Sequence, residues 1–390
     1  MAMKLATFKF ILPLALLIAA LPNLARAQVT VDIVGGEGNR VPVAVLDFRG
    51  DAQTEQEHQM AHVIAEDFSH SSALKVVADR AASSPPGDEA INYAYYRARG
   101  VDVVVAGTVN KDNDAYEAHF ILFDVALEKP ILNGTLRHSG HGHRRLSHRI
   151  ADLVHEKIAG YPGAYATRIC YITRSGDSSE LVIADADGYN RHVLFQSPAP
   201  LMSVQWSPDG TQLAYVSFEH KRPRVYVQNL AEGSRKVIAN FRGTNSSPAW
   251  SPDGKQLAVT LAKDGGSQIY MIDANGKNLR RVSDNRSRDT EPSFSPDGRH
   301  ILFSSDRGGS PQVYRIPVDG NGRAERQTFE GGYNTSPRYS PDGRSFAFVH
   351  QQGGHYGIGI KDFSTGEFRY LTSGRDDRSP AFAPNGKAIL

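Results

Sequence analysis

The sequence predicts a small α/β domain followed by an all-β propeller of the six-bladed type, with the final blade incomplete in this chain. Three observations carry that reading. A turn tetrapeptide, Ser-Pro-Asp-Gly, recurs about every 44 residues in the C-terminal part. Each repeat also holds a second turn dipeptide between apolar runs, and the upstream third alternates strand-like with helix-like patterns. Among 390 residues, Lys+Arg 44 against Asp+Glu 42 gives a net charge of +2, which argues against a strongly basic nucleic-acid binder. A hydrophobic share of 40% with 22% charged residues fits a folded globular chain. The single cysteine, Cys170, excludes an intrachain disulfide framework and any multi-cysteine metal site.

Residues 1–27 read as an export signal. Lys4 and Lys9 precede an apolar run from Phe10 to Leu21, and Ala25-Arg26-Ala27 supplies a small-x-small cleavage site. The run is too short to span a bilayer and no lipobox cysteine follows, so the expected product is exported, not inserted in the membrane, and begins at Gln28.

Residues 28–162 form the expected α/β domain. Val41-Pro-Val-Ala-Val-Leu46 reads as a buried strand with its proline near the start, where a missing donor is tolerated. Helices are predicted over Glu55–Phe68 and Ile91–Arg97, an apolar strand over Val101–Val109, and an antiparallel pair over Tyr116–Val125 and Leu132–Arg137. Leu146, Ile150, Val154 and Ile158, four apart, mark the apolar face of a closing helix. Tyr161-Pro-Gly-Ala-Tyr165 is the linker to the propeller, residues 163–390.

In the propeller the tetrapeptide follows an aromatic residue and precedes an apolar strand: Trp206-Ser-Pro-Asp-Gly210, Trp250-Ser-Pro-Asp-Gly254, Phe294-Ser-Pro-Asp-Gly298, Tyr339-Ser-Pro-Asp-Gly343 and the variant Phe382-Ala-Pro-Asn-Gly386. A 40–45-residue period of β-type units is the signature of propeller blades. Serine starts the turn, proline presets φ, aspartate tolerates the next position and glycine takes the left-handed one. Glu232-Gly233, Asn275-Gly276, Asp319-Gly320 and Thr365-Gly366 mark the second hairpin, giving four strands per unit. The first unit, from Ile169, begins at its second strand, so its first strand must come from the far end of the ring. By blade length, about forty further residues would finish the sixth blade.

Connections that lead into each aromatic strand ring one end of the channel and share a register before proline: Thr244-Asn245-Ser246-Ser247-Pro248, Arg288-Asp289-Thr290-Glu291-Pro292, Tyr333-Asn334-Thr335-Ser336-Pro337 and Asp376-Asp377-Arg378-Ser379-Pro380. Pro200-Leu201-Met202-Ser203 is the first counterpart. Such residues suit a polar partner surface, and equally suit plain turn hydrogen bonding. Other candidates are weaker. His138, His141, His143 and His148 beside Arg144 and Arg145 have no carboxylate at ligand spacing, so a solvated basic face is expected and no metal. Asp185-Ala-Asp187-Gly188 lacks the later ligands of a calcium loop and reads as a hairpin. Cys170, in an apolar strand, reads as a buried thiol. No cofactor is expected.

An α/β domain paired with these repeats resembles the TolB family, the periplasmic component of the Tol–Pal envelope system. The resemblance rests on Val101-Asp-Val-Val-Val-Ala-Gly-Thr-Val109, His148-Arg-Ile-Ala-Asp152, Tyr161-Pro-Gly-Ala-Tyr-Ala-Thr-Arg-Ile169-Cys-Tyr-Ile-Thr-Arg174 and Arg288-Asp-Thr-Glu-Pro292. It implies a periplasmic monomeric adaptor, not an enzyme, that supports outer-membrane integrity and constriction at division. Its implied partners are the peptidoglycan-associated lipoprotein Pal, TolA and other outer-membrane proteins, with no nucleic acid. Pal would meet the propeller mouth at Thr244, Asn245, Ser247, Thr290, Glu291, Asn334, Thr335 and Arg378. TolA would meet the mature N-terminus, where Val29, Val31 and Ile33 alternate with polar residues ahead of a glycine hinge. The rival reading is an exported propeller enzyme or glycan-binding protein; a serine hydrolase would need a Gly-x-Ser-x-Gly elbow, which does not occur.

Overall fold

The computed structural model describes residues 40–50, 54–78, 84–85, 91–139, 143–283, 286–372 and 376–390. The export signal, the segment carrying Val29, Val31 and Ile33, and His141 lie outside the described residues. The N-terminal sheet has the order β2-β1-β3-β4-β5. It is built from β1 (Val41–Val45), β2 (Leu74–Val76), β3 (Val103–Asp112), β4 (Ala115–Asp124) and β5 (Lys129–Ser139). Strand β1 runs parallel to both β2 and β3, while β3, β4 and β5 form an antiparallel meander.

Both faces of this sheet are covered, which explains its near-continuous apolar strands. On one face α1 (Thr54–Ser69) and α3 (His143–Ala159) lay Met60, Ile64, Phe68, Leu146, Ile150 and Val154 against Val43, Val105 and Phe120. On the other, Ile91 and Tyr96 of α2 (Tyr93–Ala98) and its lead-in meet Ala44, Leu46, Val104 and Phe123. Neighbouring residues of β1 and β3 therefore serve opposite cores, the two-residue period of a pleated strand. Each large side chain buried this way is worth about 1.5–3 kcal/mol. The short strand β2 was not anticipated from the sequence.

The propeller opens with a three-stranded sheet of β6 (Arg168–Ser175), β7 (Ser178–Asp185) and β8 (His192–Ser197). Four antiparallel four-stranded blades follow. They are β9 (Leu201–Trp206), β10 (Gln212–Ser217), β11 (Arg224–Asn229) and β12 (Arg235–Ala239); then β13 (Asn245–Trp250), β14 (Gln256–Leu261), β15 (Gln268–Asp273) and β16 (Arg280–Arg281). The last two are β17 (Asp289–Phe294), β18 (His300–Ser305), β19 (Gln312–Pro317) and β20 (Glu325–Arg326); and β21 (Asn334–Tyr339), β22 (Ser345–Gln352), β23 (His355–Asp362) and β24 (Phe368–Tyr370). The first strands β9, β13, β17 and β21 neighbour one another and line the channel. Residues 381–390 begin another unit: Ala381 and Leu390 exchange backbone hydrogen bonds, and Phe382 pairs with Ile389.

The tetrapeptide turns work as their chemistry suggests, with one addition. The Ser251 hydroxyl donates to Asp253 Oδ1 at 2.6 Å and accepts from the Gln256 amide at 3.0 Å, so it closes the turn from both sides. Ser207, Ser295 and Ser340 do the same. That donated bond is the main reason the four aspartate carboxyls titrate below their ordinary value. Each turn glycine sits at φ near +70°, and from Gly254 onward each lies against the previous blade's proline, as Gly343 does against Pro296.

Candidate functional site

The residues assigned from sequence to the connections belong instead to the first half of the channel strands. Asn245, Ser246 and Ser247 lie in β13, Thr290 and Glu291 in β17, and Thr335 and Ser336 in β21. Each strand breaks register there. Ser246 pairs with Thr260 and Ala249 with Ala258, so Ser247 and Pro248 together face Val259. Glu291-Pro292 and Ser336-Pro337 bulge identically against Phe303 and Phe348. Proline fits because the bulged residue makes no ladder bond. The residue before it adopts positive φ, +49° at Ser247, +57° at Glu291, +53° at Ser336 and +58° at Ser379, with Ser203 at +55°. For residues with a Cβ this geometry costs of order 1–3 kcal/mol apiece, and such strain gathers at functional sites.

Buried polar groups hold these bulges in place. Asn245 accepts from the Phe241 amide at 2.8 Å and donates to the carbonyls of Phe241 and Gly243. Asn334 donates to Gln312 and the Glu330 carbonyl and is bonded by His350 at 2.8 Å. Asp289, at the same register, receives a two-pronged bond from Arg307 at 2.9 and 3.0 Å. Glu291 clamps two blades together: it accepts the Ser304 hydroxyl at 2.7 Å, the Ser336 amide at 2.9 Å and the Ser336 hydroxyl at 2.6 Å.

Of the eight residues read as a Pal surface, Thr244 and Arg378 are exposed, and Ser247, Thr290 and Glu291 are half-buried. Asn245, Asn334 and Thr335 are buried, so they shape the rim without presenting their side chains. Arg242, Arg286, Arg288 and Arg378 are likewise exposed, each in a connection that leads into a channel strand or its counterpart. Arg378 pairs with Asp376 at 2.5 Å and lies over the Tyr356 ring at 4.2 Å, which in turn meets Tyr333 edge-on at 5.5 Å. Sequence reasoning missed Tyr356, which sits at the β22–β23 hairpin end and forms a backbone bridge with Asp376. Tyrosine and arginine packed together are typical anchors of protein interfaces.

A second polar cluster joins the two domains. The expectation of a solvated histidine face fails at His148, which is buried between α1 and α3. Its Nδ1 lies 2.8 Å from Asp67 Oδ2, and its Nε2 lies 3.4 Å from Asp187 of the β7–β8 hairpin. Arg144 pairs with Asp187 and stacks on Tyr189 at 3.9 Å. Burial alone would hold the imidazole below its ordinary value, but the bond to Asp67 and the charges of Asp67 and Asp187 raise it. Burial lifts the Asp67 carboxyl in turn. With Arg144 on Asp187, the group Asp67, His148 and Asp187 is charge-balanced by this chain's own residues. His143 and His138 are half-buried.

A family profile described as the TolB beta propeller domain matches residues 155–390. The chain belongs to the TolB family. A second profile, the TolB amino-terminal domain, matches residues 29–131. The Tol-Pal system protein TolB of Bordetella avium is 47% identical over 97% of this chain and 85% of that protein. Its namesake from Aromatoleum aromaticum is 45% identical over 63% of this chain, a stretch spanning 57% of that protein's length. The crystal structure of TolB from Acinetobacter baumannii superposes with a TM-score of 0.80 at 32% identity, covering 90% of this chain and 87% of that one. TolB membership accounts for the pairing of the α/β domain with a propeller. Among the described residues no helix is long and apolar enough to cross a membrane.

Proposed function

We propose that this TolB-family chain is a periplasmic binding adaptor of the Tol–Pal system. It takes the lipoprotein Pal at the propeller mouth and TolA at the mature N-terminal segment, residues 28–34, and so supports outer-membrane integrity and constriction. The role is binding, not catalysis. The observation that carries the reading is the rim itself: bulges held at positive φ by buried polar groups present Thr244, Arg242, Arg286, Arg288 and the Tyr333–Tyr356–Arg378 cluster on one end of the channel. A rigid, preorganised rim loses little entropy on binding, and its basic character favours a partner with an acidic or carbonyl-rich surface.

Calorimetric titration with the soluble domain of Pal tests this. Replacing Arg378 by Ala should weaken binding by about 2 kcal/mol, the scale of an interface anchor. Thr244→Ala and Arg288→Ala should add to the loss, with melting unchanged. Removing residues 28–34 should abolish TolA capture. Full Pal affinity in the folded triple variant would refute the mouth as the site.

A further inference from the structure

Two residues past the positive-φ position, each channel strand carries one residue at the same register: Gln205, Ala249, Ser293 and Arg338. Three are small or uncharged, and the fourth is an arginine. They line a chamber of about 190 Å³ beside the tetrapeptide turns, at the end of the channel away from the mouth. At about 30 Å³ per water, it has room for several waters or one small guest. The Arg338 guanidinium donates to its neighbour's carbonyl, Pro337 O, at 2.8 Å and forms no ion pair among the described residues. The carboxylate that bears on it is Glu291, already committed to Ser304 and Ser336. Arg338 is half-buried, and desolvation holds its guanidinium below the ordinary pKa despite the Glu291 charge. Trp206 and Trp250 line the same chamber with their ring systems, while both indole Nε1–H groups are buried away from it. Trp250 itself is only 8% exposed.

A guanidinium is a donor only. The chain gives this guanidinium one carbonyl and no carboxylate of its own among the described residues, so the chamber offers a positive donor without an anionic partner. We propose that this chamber is a binding site for a single carboxylate or small oxyanion, held by Arg338 between the two tryptophan side chains. The carboxylate belongs to a small solute or to an acidic side chain that a partner inserts from the turn face; either satisfies the same donors.

Trp206 and Trp250 are the only tryptophans in the chain, so intrinsic fluorescence reports on the chamber directly. The full chain is titrated with acetate and with inorganic phosphate at constant ionic strength, using chloride as the control, and separately with a short amidated peptide carrying one Glu and its Gln counterpart. Saturable change with acetate or phosphate identifies a solute site, and change with the Glu peptide alone identifies a partner's side chain. In either arm Arg338→Met should weaken the response at least tenfold, the loss expected when a charge-assisted bond is removed. Arg338→Lys should keep part of it. If Arg338→Met fails to fold, a rise in melting temperature of the unaltered chain with acetate, phosphate or the Glu peptide, absent in chloride or with the Gln peptide, carries the test. No saturable response in any arm, or one that Arg338→Met leaves intact, overturns the assignment.

Discussion

Replacing His148 by Leu should uncouple the junction between the α/β domain and the first blade. The side chain lies between α1, α3 and the β7–β8 hairpin, 2% exposed, with Asp67 at 5% beside it. Leucine fills the volume but leaves the Asp67 carboxylate buried without its 2.8 Å partner. Removing one member of a buried pair costs about 3–5 kcal/mol. At roughly 2–4 °C per kcal/mol for a unit of this size, melting should fall on the order of 10 °C. The pH dependence has a definite sign. The His148 pKa is raised in the fold, so its contribution is complete below its ordinary value of 6.5 and is lost as pH rises through the higher folded value. The raised Asp67 carboxyl acts in the same sense, favouring its protonated form from 3.8 upward. Asp187, Arg144 and Asp152 also face the pair, and none of them is altered by the substitution. Calorimetric scans from pH 5.5 to 8.5 should therefore show the parent losing stability above neutrality and His148→Leu giving a flatter profile. Asp67→Asn together with His148→Gln should recover much of the loss, because two neutral groups leave no buried charge. A single variant that melts within a degree of the parent at pH 6, or that keeps the parent's pH profile, would refute the coupling.

Two further outcomes follow from the geometry. Glu291→Ala removes the acceptor of three hydrogen bonds linking β17, β18 and β21, and should destabilise the propeller by about 2 kcal/mol in urea unfolding, whereas Thr244→Ala should leave the midpoint unchanged. Cys170, expected to be a buried thiol, is half-buried on the edge strand β6, and desolvation still pushes its thiol up to about 12, so it should label with a disulfide reagent at pH 8 more slowly than free cysteine; labelling of the native protein at the rate of free cysteine would contradict this.

What was legible in the sequence is what depends on neighbours along the chain. The tetrapeptide turns, the hairpin dipeptides and the four-residue apolar spacing of α3 are local signals, and blade number, strand identity and helix face followed from them. The strand β2 was hidden because three residues pairing in parallel with β1 have no turn to announce them. The serine and glutamate before each bulge proline were visible as a register, but their role was not. Whether Glu291 faces a partner or clamps Ser336, 45 residues away, depends on how two blades meet. His148 shows the same limit: with arginines around it, its local sequence reads as a wet surface, and only the approach of Asp67, 81 residues earlier, and of Asp187 from the propeller buries and charges it. Arg338 differs from its register mates by sequence alone, yet its solitude in the channel is decided by which strands close around it. Turn and helix preferences are energies between adjacent residues, whereas burial and the pairing of charges are set by chains of contacts that the ring and the domain junction create.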